Sequence, residues 1–141
     1  MIAYFDASAL AKRYVAEEGS QQVEEWLQAT IIATSRWSHI EVLSAISRRC
    51  REGSISPEQR SQLAAALRED LASFTIVDVT PDTIAVADGL LARHALRAGD
   101  CVQLASAINL KAWTGEALMF HAFDVRLNAA ATQEGLHIPT A

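Results

Sequence analysis

The sequence predicts an α/β fold in which a central, mostly parallel sheet is flanked by helices, and three observations predict it. Four short apolar runs, at residues 2–5, 31–34, 75–79 and 118–123, have the length and the β-branched or aromatic content of buried strands. Longer segments with apolar residues at i, i+3 and i+4 lie between them, and strands that alternate with helices build parallel sheets. Two helix starts carry the same device, a capping hydroxyl followed by proline at the first helical position: Ser56 with Pro57, and Thr80 with Pro81.

The elements follow in order. The first run ends on Asp6, and the residues from Ala7 to Tyr14 read as a short helix. Ser20 is placed to cap a helix reaching about Ala29, with Val23, Trp26 and Leu27 on one face. After the second strand a helix is expected from Arg36 to Arg51, with Trp37, Ile40, Val42, Leu43 and Ile46 as its apolar arc and Glu41 at the edge of that arc. Leu63, Leu67, Leu71 and Phe74 form the stripe of the helix begun at Pro57; Ile84, Ala87, Leu90 and Leu91 form that of the helix begun at Pro81. Asp100 opens a helix striped by Cys101, Leu104, Ala105 and Ile108. The fourth strand run ends at Asp124, a last helix follows with Leu127, Ala130 and Ala131 inside, Gly135 is its left-handed terminator, and residues 136–138 are short enough to be an edge strand.

Composition sets bounds. The 141 residues, half of them apolar, suit one domain over residues 1–141. No apolar run approaches the ~20 residues of a membrane span. No basic stretch precedes a long apolar one at the N-terminus, so no signal peptide is expected and the predicted location is cytoplasmic. Cys50 and Cys101 have no ligand spacing and read as free thiols of a reducing compartment. A net charge of −5 does not advertise a nucleic-acid-binding surface. It suits an acidic cluster neutralised by a metal, and equally an ordinary acidic surface.

Asp6, Asp100 and Asp124 stand at helix starts, the first and last of them directly after strand runs, and Glu41 lies about a turn into the helix that follows another strand. Strand ends cluster on one side of a parallel sheet, which is where such folds bind ligands. Each Asp has a plain alternative as a helix cap, and Glu41 has one as a side chain reaching to the surface from the arc edge. If the four converge, like charges at close range raise one another's pKa and need a counter-charge. A hard divalent cation such as Mg²⁺ or Mn²⁺ takes oxygen ligands of this kind, and the chemistry that follows is phosphodiester hydrolysis.

The blocks Phe5-Asp6-Ala7-Ser8-Ala9-Leu10, Ser35 to Ala45 around Glu41, Leu96 to Ala107 around Asp100, and Phe123-Asp124-Val125-Arg126-Leu127 with Gly135 resemble those of PIN domains, in order and spacing over nearly the whole chain. The closest resemblance is to VapC-type toxins of bacterial and archaeal toxin–antitoxin pairs. It implies a three-layer PIN-like fold, a Mg²⁺- or Mn²⁺-dependent endoribonuclease, a homodimer, and inhibition by a cognate, VapB-like antitoxin. The family's acidic quartet falls on Asp6, Glu41, Asp100 and Asp124, and its small hydroxyl on Ser8. Two positions depart from the family pattern: Ala122 stands where a hydroxyl is common two residues before the last Asp, and Gln103 where His is common three residues after the third.

For an RNA substrate, Lys12, Arg13 and Arg36 are the cations nearest the expected site, and arginine pairs bidentately with phosphate. Arg48, Arg49 and Arg51, at the far end of their helix, complement its dipole. His39 and His121 are expected to be structural. Two other functions remain open at this stage: an aspartate-nucleophile phosphatase, disfavoured because Ser8 stands where a second Asp is needed, and a catalytically degenerate PIN-like module that binds RNA or protein.

Overall fold

The structure, a computed structural model, describes residues 1–140; Ala141, the last residue of the expected domain, lies outside them. Four strands, β1 (Ile2–Phe5), β2 (Ile31–Ser35), β3 (Thr75–Val77) and β4 (Leu118–His121), form one sheet in the order β3-β2-β1-β4. Every pairing is parallel, with Ile2 opposite Ile31 on one side and Leu118 on the other. The edge strand expected at 136–138 shrinks to a single bridge between Met119 and His137. Pro139 follows at once, and its missing N–H ends the ladder.

Among the described residues seven helices cover the sheet: α1 (Ala7–Ala11), α2 (Ser20–Trp26), α3 (Trp37–Arg51), α4 (Pro57–Ser73), α5 (Pro81–Arg93), α6 (Ala98–Thr114) and α7 (Val125–Gln133). The alternation of β1 sorts them into two outer layers. Ala3 and Phe5 face a core with Leu10, Val23, Val42, Ile46 and Leu67 of α1 to α4. Ile2 and Tyr4 face another with Leu90, Leu104, Leu110 and Leu127 of α5 to α7. Leu10, Ile46, Leu67, Leu90 and Leu104 are fully buried, and each such side chain contributes ~1.5–3 kcal/mol by leaving water. The expected three-layer α/β arrangement is what the chain forms.

Local signals work where they are local. Ser56 accepts from Gln59 N, while the Gln59 side chain accepts from Ser56 N, a reciprocal cap. Ser20 does not cap α2. Its hydroxyl accepts from Glu17 N, and Gly19 takes the cap position at φ +93. A side chain there would also meet the Phe123 ring at 2.8 Å, so the turn needs glycine twice over. The expected apolar arcs are only partly inside. Val42 and Ile46 of α3 are buried while Trp37 and Ile40 are exposed, and on α5 Ile84 and Leu91 face outward. Among the described residues no helix is long and apolar enough to cross a membrane.

Candidate active site

The sheet reverses its winding at β1. The chain moves from β1 through β2 to β3 on one side and returns to place β4 on the other. The carboxyl ends of β1 and β4 therefore flank a switch point, the place where open α/β sheets hold ligands. Asp6 follows β1 directly, and Asp124 follows β4 after Ala122 and Phe123. Asp6 N donates to the carbonyl of His121 at 3.1 Å, tying the two strand ends together.

Asp6 is both a cap and something more. Its Oδ1 accepts from Ala9 N at 2.8 Å, and Ser8 Oγ donates to the carboxylate at 2.9 and 3.1 Å. Only 3% of the residue is exposed. Burial pushes its pKa up to about 7 against the pull of Ala9 N–H and Ser8, and the charges of Asp100 and Glu41 add to the rise. Asp124 caps α7 through Leu127 N at 3.0 Å and is exposed.

The other two carboxylates cap nothing. The cap of α6 is Arg97, whose side chain makes no capping bond, so Asp100 is the third residue of the helix rather than its start. Glu41 sits in the second turn of α3 with Oε1 buried and without a hydrogen-bond partner. Gly99 admits it closely: a Cβ on Gly99 would lie 3.5 Å from that oxygen. Burial raises the pKa of Glu41, with Asp100 adding to the rise and Gln103, Arg97 and Trp37 opposing it. Asp100 is thus near enough to raise the pKa of both Asp6 and Glu41, and Glu41 near enough to raise that of Asp6. Asp124 shares with Asp100 a cleft of about 350 Å³.

The donor set fits a hard divalent cation in kind: oxygen only, two carboxylates, Asp6 and Glu41, held at raised pKa, and one buried oxygen with no hydrogen-bond partner. It is not drawn into a finished cage. Among the described residues no group of three or more His, Cys, Asp or Glu stands ready to hold a metal ion.

The cations expected to meet RNA are engaged elsewhere. Lys12 pairs with Glu17 at 3.1 Å and lies over the Phe123 ring. Arg13 pairs with Asp70 at 2.9 Å and Glu24 at 3.0 Å, and Arg36 with Asp78 at 2.7 Å. The cleft beside Asp100 and Asp124 is lined instead by Arg97 and Arg126. Neither was among the cations expected at the site, although Arg97 lies three residues before Asp100 and Arg126 two after Asp124.

The two departures from the expected pattern have local solutions. Gln103 is buried and hydrogen-bonded to Tyr4 and Ser38. Ala122 offers its carbonyl to Asn128 Nδ2 at 2.9 Å, which ties the loop before Asp124 to α7 without a hydroxyl. His121 is a core residue, its ring against those of Phe5 and Trp26, with burial lowering its pKa to about 4.

With this geometry established, three comparisons bear on the chain. Residues 3–131 match the PIN domain. Over 99% of its length the chain is 33% identical to Ribonuclease VapC49 of Mycobacterium tuberculosis, 96% of which is covered. Among solved structures it superposes with a TM-score of 0.67 and 14% identity on FitAcB of Neisseria gonorrhoeae, covering 98% of this chain and 96% of that one. VapBC2 of Rickettsia felis, bound to a DNA fragment from its promoter, gives 0.64 and 14% with 99% and 98% coverage.

Proposed function

The chain belongs to the PIN domain family, and from that membership we propose that it is an endoribonuclease hydrolysing RNA phosphodiester bonds, the toxin component of a toxin–antitoxin pair. The observation that carries this reading is the meeting of Asp6, Glu41 and Asp100 at the switch point of the sheet, where burial and mutual repulsion hold Asp6 near a pKa of about 7. The match to a relative named as a ribonuclease supports it. The likeness of the fold to a toxin–antitoxin complex from Klebsiella pneumoniae and to VapBC2 supports a cognate antitoxin of the VapB kind as partner.

The residues divide the work. Asp6, Glu41 and Asp100, with Asp124 from the opposite wall, hold Mg²⁺ or Mn²⁺. When bound, the cation supplies Lewis acidity toward water and charge stabilisation at a phosphate oxygen. Ser8 and Ala9 N–H fix the Asp6 carboxylate in orientation. The exposed Asp124 closes the site from the α7 side. The protein acts in the cytoplasm and as a homodimer. The stripe Leu63, Leu67, Leu71 and Phe74 packs into the core, so such a dimer would draw on exposed apolar side chains, among them Trp37 and Ile40 of α3 and Ile84 and Leu91 of α5. Sedimentation at high protein concentration reads the assembly, and monomer alone contradicts it.

The test of the function is RNA cleavage by the purified chain. Cleavage is expected with Mg²⁺ or Mn²⁺ and lost in EDTA. Full-rate cleavage in EDTA removes the metal from the mechanism, and no cleavage with either metal removes the ribonuclease.

A further inference from the structure

Four carboxylates repel the polyanion they are meant to cut, and the net charge of −5 offers no general attraction to offset that. A local cation is needed at the cleft. Lys12, Arg13 and Arg36, the basic residues that the sequence suggested for this role, are each paired with carboxylates. The two arginines that line the cleft are not committed in this way. Arg97, on the α6 side, has a side chain 85% exposed, and its one ion pair among the described residues is the long contact with Asp100 Oδ2 at 3.6 Å. Arg126, in the first turn of α7, is exposed and has no ion-pair partner among the described residues.

We propose that Arg97 and Arg126 are the phosphate-binding residues of this cleft, gripping the RNA backbone from its two walls beside Asp100 and Asp124. The inference rests on the ribonuclease reading. Arginine presents a planar fork that matches two phosphate oxygens, and its charge is permanent. Placed within a side-chain length of the carboxylates, the pair lets backbone approach without reading bases. The weak contact of Arg97 with Asp100 is one that a phosphate displaces at little cost, since exposed ion pairs contribute little to stability.

The experiment measures binding of a fluorescent mixed-sequence single-stranded oligoribonucleotide in EDTA, by anisotropy across a salt series, with cleavage rates in Mg²⁺ alongside. Arg97→Gln and Arg126→Gln are each expected to weaken binding about tenfold, the size of one lost charge-assisted hydrogen bond. Each should also flatten the logarithmic salt slope by about 0.7, the value for one phosphate contact on a single strand. Cleavage should suffer mainly through KM. Arg97→Lys and Arg126→Lys should keep the salt slope, which separates lost charge from a misfolded variant. Arg51→Gln removes the same charge from the far end of α3 and should bind as wild type does. If Arg97→Gln and Arg126→Gln keep wild-type affinity and slope while the wild type cuts RNA, the clamp is wrong and the ribonuclease stands. If the wild type neither binds nor cuts RNA, both fall together.

Discussion

Tyr4 Oη donates to Gln103 Oε1 at 2.8 Å, joining residues 99 positions apart. The bond is the first of a buried run. Gln103 Nε2 donates to Ser38 Oγ at 2.9 Å, Ser38 and Thr34 hydroxyls lie 2.7 Å apart, and Thr34 Oγ1 donates to the carbonyl of Phe5 at 2.7 Å. Because Thr34 spends its one proton on Phe5, Ser38 must donate to Thr34, and the whole run points one way. It links β1, α6, α3 and β2, and it ends on the residue before Asp6. Ser38 lies three residues before Glu41 on α3, and Gln103 three after Asp100 on α6. The run thus sets the register between the elements that carry three carboxylates.

Gln103→Leu should therefore be costly. It strands the Tyr4 hydroxyl, fully buried, and removes a donor from Ser38. A buried polar group left unpaired costs ~1–3 kcal/mol. Tyr4→Phe alone strands Gln103 Oε1 at a similar cost. The double variant Tyr4→Phe, Gln103→Leu should be less destabilised than the two singles added, by roughly 1 kcal/mol or more, since neither partner is then left waiting for the other. Chemical denaturation of the four proteins measures the cycle, and simple additivity would show that the Tyr4–Gln103 bond does not couple the two elements.

The strands, the two capping devices and the positions of Asp6 and Asp124 were legible because each is a local pattern: a short apolar run, a hydroxyl with a proline, an acid at a run's end. What was not legible depends on the third dimension. Trp37 and Ile40 share helical spacing with Val42 and Ile46, and only the packing of α3 shows which pair faces water. Asp70 and Asp78, which pair with Arg13 and Arg36, lie 57 and 42 positions away, so neither pairing shows in the sequence. Asp100 reads as a cap from its place before the stripe, but Arg97 takes the cap position and leaves its carboxylate uncommitted. That last difference turns an ambiguous acid into a diagnostic one.

In the metal-free protein Asp6 should contribute a loss of stability as pH rises from about 4 to about 7. The buried His121, with its pKa lowered to about 4, contributes a gain over much of the same interval, so the Asp6 part is the difference between wild type and Asp6→Asn. Asp6 has a folded pKa of about 7, above its ordinary value of 3.8. Between those values Asp6 binds more protons in the folded state than in the unfolded chain, so its contribution falls with rising pH. The contribution is fully present below the unfolded pKa and is lost through the folded one. Asp6→Asn should remove this loss, so the variant gains stability relative to wild type as pH rises through the interval. Ser8→Ala, which deletes a donor to the carboxylate, should push the Asp6 pKa higher still and extend the loss toward alkaline pH. Metal affinity should rise over the same interval, because the cation competes with that proton. Thermal melts in EDTA from pH 4 to pH 8 check the sign, and a wild-type profile that Asp6→Asn leaves unchanged would remove Asp6 as its source.

Asp100→Asn separates a site from a set of caps most cleanly. Asn replaces Asp well as a cap, so Asp6→Asn and Asp124→Asn leave their helix ends served, and any loss of metal response can be traced to charge. Asp100 goes further, for it holds no capping bond at all. Replacing it has two opposed effects on the metal-free protein. It removes a favourable charge from the first turn of α6, worth ~0.3–1 kcal/mol. It also relieves Asp6 and Glu41, whose raised pKa values both owe something to Asp100. The two nearly offset, and stability in EDTA should stay within about 1 kcal/mol of wild type. The response to Mg²⁺ or Mn²⁺ should not stay. Stabilisation by a bound ion follows its affinity for the folded state, and a tenfold weaker site forfeits about 1.4 kcal/mol at saturating metal. Cleavage should fall sharply with it. Paired melts of wild type and Asp100→Asn, with and without metal, decide the matter: an undiminished metal shift in the variant, together with normal RNA cleavage, would mean that the carboxylate at the head of α6 belongs to no site.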